Sequence, residues 1–339
     1  MAPSAKTGSG TRPPSARPPS IERDRDLAGL FVVFLRLGLT SFGGPIAHLG
    51  YFRTEFVERR RWLSESAYAD LVALCQFLPG PASSQVGFAV GLMRGGWAGA
   101  ALAWAGFTLP SALALVAFAY VALAFDNPAW TGAIAGLKLL AVAVVAQAVL
   151  GMAKGLCVTR EHIVIALAAV GLLAIWQGPG GQIAAIAAGG TAGYWLRLGQ
   201  ERQEAAFDPI AGGPSERLGR RLLWVAGVLL VVLPVWAWFG LGGQTLALFE
   251  AFYRAGMLVF GGGHVVLPLL EGTMVAPGWV REAEFLTGYA AAQAVPGPLF
   301  SLAAYLGTVS EPAPNGPLGA AIALVGVFLP GLLLVAGAL

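Results

Sequence analysis

Two arginines at equivalent places in the chain could bind an anion. Arg36 and Arg254 lie within apolar sequence, each six residues before a Phe-Gly-Gly run. A charge inside a membrane costs about 2.5 kcal/mol or more unless it is paired or reaches water, so two equivalent arginines indicate a role. Planar guanidinium groups suit the oxygens of an oxyanion. The alternative is structural pairing with backbone carbonyls or with an acid. The acids nearest apolar sequence are Glu55, Asp70, Glu250 and Glu271.

Interrupted helices offer a second kind of anion ligand. The Phe-Gly-Gly runs leave backbone amides uncovered, and a helix that starts after such a break directs its amides and positive dipole end at the cavity. Prolines on both sides of a glycine, at 79–81 and 296–298, stop a helix and permit a turn. Close helix packing is the alternative role for the glycines. The candidate substrate-binding residues are Arg36, Ser41, Gly43, Gly44, Gln76, Pro79, Gly80, Pro81, Ser83, Lys138, Arg254, Gly261, Gly262, Gln293, Pro296, Gly297 and Pro298.

These motifs occur twice because the chain contains an internal repeat. Residues 38–45 match 256–263, and 76–81 match 293–298, with conserved order. Weak similarity between halves is common in secondary transporters. The first copy contains four short apolar segments, which we expect to form broken or re-entrant hairpins with tips near the middle of the membrane; two kinked spanning helices are the alternative. The segments are 27–41, 45–56, 66–78 and 82–94.

The composition is that of a multi-pass, all-α membrane protein. Hydrophobic residues make up 57% of the 339-residue chain and charged residues 12%, about half the share typical of soluble domains. Continuous apolar runs, rather than alternating ones, disfavour a β-barrel. The longer runs are 97–125, 131–153, 162–177, 182–196 and 222–239. We expect a disordered cytoplasmic tail (1–26), a first domain (27–200), a cytoplasmic linker (201–221) and an incomplete second domain (222–339).

The positive charges predict that the two copies are inverted. Four arginines lie in 53–61 and five in 197–221, whereas 263–284 has only Arg281. Because Lys and Arg concentrate on the cytoplasmic side, the first copy and the N-terminus should begin inside and the second copy outside.

Several classes of function are disfavoured. The sequence has no metalloprotease His pair, nucleophile elbow, phosphate-binding loop or Cys/His cluster, so neither an enzyme nor a cofactor is expected. The dispersed basic residues do not indicate nucleic-acid binding. Cys75 and Cys157 are interpreted as packing residues, and His48 and His264 as satisfied or interfacial, with a proton relay as the alternative for His264.

The motifs together resemble the chromate ion transporter (CHR) family. They are Phe-Leu-Arg-Leu-Gly-x-x-Ser-Phe-Gly-Gly-Pro (34–45), Gln-Phe-Leu-Pro-Gly-Pro (76–81), Gly-Phe-Thr-Leu-Pro (106–110), Gly-Leu-Lys (136–138), and the second-half Phe-Gly-Gly-Gly-His and Ala-Val-Pro-Gly-Pro. The similarity covers about 27–339 and is to the two-domain, long-chain type.

Membership implies an inner-membrane protein of bacteria that exports chromate and confers chromate resistance. Chromate is a tetrahedral dianion, and sulfate has the same shape and charge, so sulfate or another anion is an alternative substrate. A channel or cation-coupled carrier with structural arginines, and a non-transporting truncated protein, also remain open. The expected partners are the lipid bilayer and the anion, and a homodimer is an open assembly.

Overall fold

The computed structural model describes residues 26–124, 128–176, 179–196, 213–260, 266–311 and 313–339. Every regular element within these ranges is a helix, as the sequence predicts for an all-α protein. The predicted tail, except Asp26, and residues 201–212 of the predicted linker lie outside the described residues, as do Gly261, Gly262 and His264.

The first copy is built from interrupted helices, as predicted. Its helices are α1 (Leu27–Thr40), α2 (Gly44–Arg53), which continues as a π-helix (Thr54–Arg59), α3 (Glu65–Phe77) and α4 (Ala82–Ala124). The backbone leaves the helical conformation again inside α4, where Gly96 has φ +62° and ψ −155°. The long run of α4 is therefore two helical segments.

Glycine conformations explain the two breaks in the first copy. Gly43 and Gly44, between α1 and α2, have φ of +92° and +78°, and Gly80, between α3 and α4, has φ of +121°. Side chains with a Cβ rarely adopt these values, so glycine permits the chain to turn where proline ends the helix.

Four further helices separate the copies. They are α5 (Pro128–Leu156), α6 (Arg160–Ile175), α7 (Pro179–Trp195) and α8 (Glu216–Trp238). Because α8 begins at Glu216, the arginines at 217, 220 and 221, assigned from sequence to the linker, lie in its first two turns. Tyr253 of the second copy donates a hydrogen bond to the Ala226 carbonyl of α8 (2.9 Å), which ties this helix to the second copy.

The second copy repeats the pattern of the first. Its helices are α9 (Gly243–Met257), α10 (Val266–Leu270), which continues as a π-helix (Glu271–Val275), α11 (Glu282–Ala294), a 3-10 turn (Leu299–Ser301), α12 (Leu302–Val309) and α13 (Gly316–Ala338). Both copies thus carry a π-helix at the same place. Among the described helices, α4, α8 and α13 are long and apolar enough to cross a membrane.

Each copy has its own hydrophobic core, and the copies exchange the ends of their last helices. Ala112, Leu115 and Ala119, from the second half of α4, are buried in the core of the second copy. Val335 and Ala336, near the end of α13, are buried in the core of the first copy. Because each core is completed by the other repeat, neither copy can bury its apolar surface alone.

Close backbone contacts between helices recur at equivalent glycines. A Cβ added to Gly38 would lie 2.6 Å from the Gly106 carbonyl oxygen, and a Cβ at the equivalent Gly256 would overlap the Val327 carbonyl. Both glycines therefore allow the first helix of a copy to approach the last one. Close packing thus accounts for these glycines, which lie before the breaks.

We predict that Gly256→Ala destabilises the protein by about 1–3 kcal/mol, because the added methyl group meets backbone that cannot move away. Gly227→Ala is the matched control, since nothing lies within 4 Å of a Cβ at this position of α8. Thermal unfolding of the purified variants in detergent measures the difference. Equal midpoints for the two variants would contradict the packing.

Candidate functional site

The breaks of the two copies meet each other through backbone hydrogen bonds. The amide of Gly80 in the first copy donates to the carbonyl of Val259 in the second (2.8 Å). The amide of Gly297 in the second copy donates to the carbonyl of Ser41 in the first (2.9 Å). Gly80 is equivalent to Gly297 and Ser41 to Val259, so the two bonds are the same contact made twice. Such reciprocity is the mark of a two-fold arrangement.

The close packing of two glycines supports the same symmetry. A Cβ on Gly80 would lie 2.9 Å from Gly331 of α13, and a Cβ on Gly297 would lie 2.8 Å from the hydroxyl of Ser111 in α4. Ser111 is equivalent to Gly331. Each Pro-Gly-Pro turn therefore presses against the last helix of the other copy. Gln85 strengthens one of these contacts by donating to the Gly331 carbonyl (3.0 Å) and to the Pro79 carbonyl (2.9 Å).

We call the place where the Pro-Gly-Pro turns meet the breaks at Ser41 and Val259 the crossing. Near it, on the side of the first copy, lie buried polar atoms without hydrogen-bond partners. Within the described part of the chain, five residues on α1, α2 and α4 or beside them are at most 2% exposed and have a side-chain atom without a hydrogen bond. An unsatisfied buried polar group costs about 1–3 kcal/mol, so these atoms are candidate contacts for a ligand, water or ion. The atoms are Ser41 Oγ, His48 Nε2, Ser84 Oγ, Gln85 Oε1 and Thr108 Oγ1, and we call these residues the polar cluster.

The second copy lacks this cluster. The positions equivalent to Ser41, His48, Gln85 and Thr108 carry apolar side chains, and each of them is buried. These residues are Val259, Val266, Leu302 and Phe328. Ser301, the counterpart of Ser84, donates to the Pro298 carbonyl (2.6 Å) and is satisfied. The backbone frame is therefore symmetric, whereas the polar groups come from the first copy.

The start of α2 adds backbone donors to the polar cluster. Gly43 caps this ten-residue helix with left-handed backbone and no side-chain hydrogen bond. The first-turn amides of a helix lack intrahelical partners and carry the positive end of its dipole. Hydroxyls, an imidazole and helix-start amides are all ligands for the oxygens of an anion. Among the described residues, no group of His, Cys, Asp and Glu could hold a metal ion.

The two candidate arginines differ in their surroundings. Arg254 pairs with Glu250 one turn earlier (Nε to Oε1, 2.6 Å), and the Glu250 side chain is only 9% exposed. Both line an open cavity of about 530 Å³ together with Thr273 and Trp279. Arg36 is exposed on α1 and makes no ion pair with any residue that the structure describes, and Val32 occupies the position equivalent to Glu250. The charge of Arg254 is thus compensated and that of Arg36 is not.

Only some of the remaining predicted residues contact the crossing. Ser83 lies 3.4 Å from His48 Nδ1, and Pro81 and Gly80 pack on Gly331. Gln76 is exposed on α3, and Gln293 donates to the Tyr289 hydroxyl (2.7 Å). Lys138 is half-buried on α5. The structure thus brings together Ser41, Ser83 and the two Pro-Gly-Pro turns, but no described contact joins them to Gln76, Gln293, Lys138 or either arginine.

Sequence reasoning missed Gln85 and Thr108, and it assigned His48 to a satisfied or interfacial role. A usable signal was present, because these polar residues face apolar counterparts at the equivalent positions of the second copy. From sequence alone Glu250 is one of four candidate acids, although its spacing of four residues from Arg254 is that of a helical ion pair.

An ion-pair cluster holds the segment between α2 and α3. Arg53 bonds Glu65 (2.7 Å) and also Glu58, while Glu55 binds Arg60 (2.6 Å) and Arg59 (3.2 Å). Arg60 and Arg94 both lie over the ring of Trp62, at 5.1 and 5.0 Å. These contacts fix the π-helix and the start of α3, and so position the break between α3 and α4.

Comparison with known proteins points to one family. A model described as chromate transporter matches residues 28–194 and 246–339. A chromate transport protein of Pseudomonas aeruginosa is 32% identical, with 89% of this chain and 70% of that protein covered. A probable chromate transport protein of Synechococcus elongatus is 29% identical over 89% and 72% of the two chains. A chromate transport protein of Cupriavidus metallidurans is 28% identical over 90% and 72%.

No solved structure matches the chain. The family match spans both copies, including the interrupted helices that meet at the crossing. Together with the apolar helices, it identifies a multi-pass membrane protein. The chain belongs to the chromate transporter family.

Proposed function

We propose that the chain carries chromate across the bacterial inner membrane, outward, and that this export confers chromate resistance. The observation that carries the proposal is the pair of reciprocal hydrogen bonds joining Gly80 to Val259 and Gly297 to Ser41. Backbone interrupted at membrane depth needs protein or water around it, and interrupted helices that meet between repeats form the substrate sites of many transporters. The similar proteins named for chromate transport support the choice of substrate.

Four residues of the polar cluster have donors that suit a tetrahedral dianion, whereas the open atom of the fifth, Gln85 Oε1, can only accept. Chromate has four acceptor oxygens, and the hydroxyls of Ser41, Ser84 and Thr108, the imidazole of His48 and the first amides of α2 are donors that can replace its water shell. Sulfate has the same shape and charge, so it is the second candidate substrate. The uncompensated charge of Arg36 on α1 favours an anion over a cation near the first copy by long-range attraction.

The two copies are proposed to be inverted in the membrane, with the N-terminus in the cytoplasm. A two-fold relation between the copies follows from the reciprocal contacts, and the arginine excess in 53–61 over 271–282 supports an axis in the membrane plane. The helix tips would then lie near the middle of the membrane, and the copies would rock about the crossing.

The polar cluster predicts that Thr108→Val lowers chromate flux about tenfold, the effect of losing one hydrogen bond to a charged ligand. The same change should raise stability by about 1 kcal/mol, because it removes an unsatisfied buried hydroxyl. Thr308→Val is the matched control, since that buried hydroxyl donates to the Ala304 carbonyl (2.7 Å) and its loss should destabilise without reducing flux per folded molecule.

The measurements are chromate uptake into inside-out vesicles and thermal unfolding in detergent. Wild-type flux in a less stable Thr108→Val protein would show that the hydroxyl has a structural partner, and the site assignment would be wrong.

The arginines predict a difference between the copies. Arg36→Gln should lower chromate flux ten- to a hundredfold, roughly the loss of one charge-assisted contact. Replacing the pair Glu250 and Arg254 together by Gln removes no net charge and should leave at least about half of the flux, because the pair is already neutral. Arg217→Gln, on an exposed first turn of α8, controls for loss of an arginine elsewhere.

The same uptake assay in vesicles checks this prediction, with protein amount normalised by immunoblot. If the paired replacement abolishes flux while Arg36→Gln does not, the dianion would depend on the cavity of the second copy instead.

Inversion predicts that equivalent loops lie on opposite sides of the membrane. Single cysteines at Arg61→Cys and Glu282→Cys, both exposed positions, should react with an impermeant thiol reagent from opposite faces. The background is Cys157→Ser, since Cys75 is buried and thus shielded from the reagent. Labelling of both positions from one face would exclude inverted copies while leaving the crossing contacts intact.

A further inference from the structure

His48 is a buried residue whose imidazole is not explained by packing. It is 1% exposed on α2, and its ring meets the edge of Phe107 at 5.4 Å. The equivalent position in the second copy is Val266, which is fully buried. The same packing is therefore met by an aliphatic side chain in one copy, so packing alone does not account for an imidazole in the other.

One nitrogen of His48 is held and the other is open to a ligand. Nδ1 lies 3.4 Å from the hydroxyl of Ser83. Nε2 is buried and has no partner in the part of the chain that the structure describes. The two ring nitrogens of histidine have distinct roles, and the hydrogen bond at one sets which form the other adopts. Nε2 is thus the atom with which His48 can meet a substrate.

The imidazole lies beside the break of the first copy. It is four residues into α2, whose first-turn amides have no side-chain cap, and the backbone of Ser41 is its close neighbour. The hydroxyl of Ser41 is itself buried without a partner among the described residues. An anion bound by Ser41 and the α2 amides would therefore lie within reach of Nε2.

No charged or titratable group contacts the imidazole among the described residues, whichever element is considered. Neutral side chains, Ser83 and Phe107, face it from α4. The titratable groups on its own element and on those around it are Arg36 on α1, Tyr51 and Arg53 on α2, Glu55, Glu58 and Arg59 on the π-helix, Glu65, Tyr68, Asp70 and Cys75 on α3, and Arg94 and Tyr120 on α4. Of these charged side chains, Arg36 is exposed, Arg94 lies over Trp62, and Arg53, Glu65 and the charged residues of the π-helix are held in the ion pairs described above.

We propose that His48 couples occupancy of the site by a tetrahedral dianion to uptake of one proton. The proton comes from water on the side from which the anion enters and binds the imidazole. Both ring nitrogens then carry hydrogen, and Nε2–H donates to an oxyanion oxygen. When the anion leaves, the proton returns to water. Attraction between the dianion and the imidazolium in a low-dielectric site favours the protonated form and so drives the coupling. No carboxylate contacts the imidazole among the described residues, so the bound anion is the group that stabilises its positive charge. This inference rests on the proposed anion site.

Sulfate is the probe because it remains a dianion from about pH 6 to 8, the range in which histidine titrates, whereas chromate itself takes up a proton there. Binding to purified protein is measured by calorimetry at several pH values and in two buffers of different ionisation enthalpy. We expect about one proton taken up per sulfate across this range. The dissociation constant should rise by up to about tenfold per pH unit there.

The matched variants separate titration from packing. His48→Gln keeps a donor that cannot titrate, and His48→Val copies the residue of the second copy. Both should bind sulfate with a pH-independent affinity and no proton uptake, His48→Val the more weakly. His162→Gln removes the imidazole that contacts Thr159 near the start of α6 and should behave as wild type. Thermal unfolding identifies folded variants, and His48→Val supplies the test if His48→Gln fails to fold.

Three results would overturn the proposal in distinguishable ways. If wild-type affinity for sulfate is independent of pH, His48 is not coupled. If both His48 variants keep the wild-type pH dependence, another group binds the proton. If wild-type protein neither binds sulfate nor transports chromate at any pH, the proposed function fails, and the coupling fails with it.

Discussion

An interrupted backbone inside an apolar bundle needs hydrogen-bond partners, and this need organises the whole molecule. Lipid cannot satisfy a freed amide within the hydrocarbon region, so the partner must come from protein or from enclosed water. Here the turn of each copy finds its partner in the break of the other, through Gly80 and Val259 and through Gly297 and Ser41. The close approach of α13 to the first turn, and of α4 to the second, follows from the same meeting.

Symmetry of the frame and asymmetry of the chemistry are separate properties. Equivalent glycines and prolines preserve the backbone contacts in both copies, whereas the polar side chains at the crossing belong to the first. Where Ser41, Gln85 and Thr108 have unsatisfied atoms, the second copy has valine, leucine and phenylalanine. A tetrahedral ligand bound at the crossing would therefore contact mainly hydroxyls and amides of one repeat, and apolar packing of the other would support them.

Much of this arrangement could be predicted from the sequence, because glycine and proline act locally. Both breaks of the first copy and the Pro-Gly-Pro turn of the second follow from glycine and proline motifs whose conformational effects do not depend on distant residues. The exchange of helix ends could not be predicted, since the burial of Leu115 and Val335 depends on which copy each helix end reaches. The arginines were expected to be alike, but one acid, Glu250, makes them different. The cluster around Thr108 becomes visible only when the repeats are compared residue by residue.

The exchanged ends of α4 and α13 have a consequence for the history of the chain. A larger residue at Gly331 would clash with the turn at Gly80 in the opposite repeat, and one at Ser111 would clash with Gly297. The duplicated halves are thus bound to change together along their shared seam. Away from it they are free to diverge, and they have done so where Val32 in one half stands opposite Glu250 in the other.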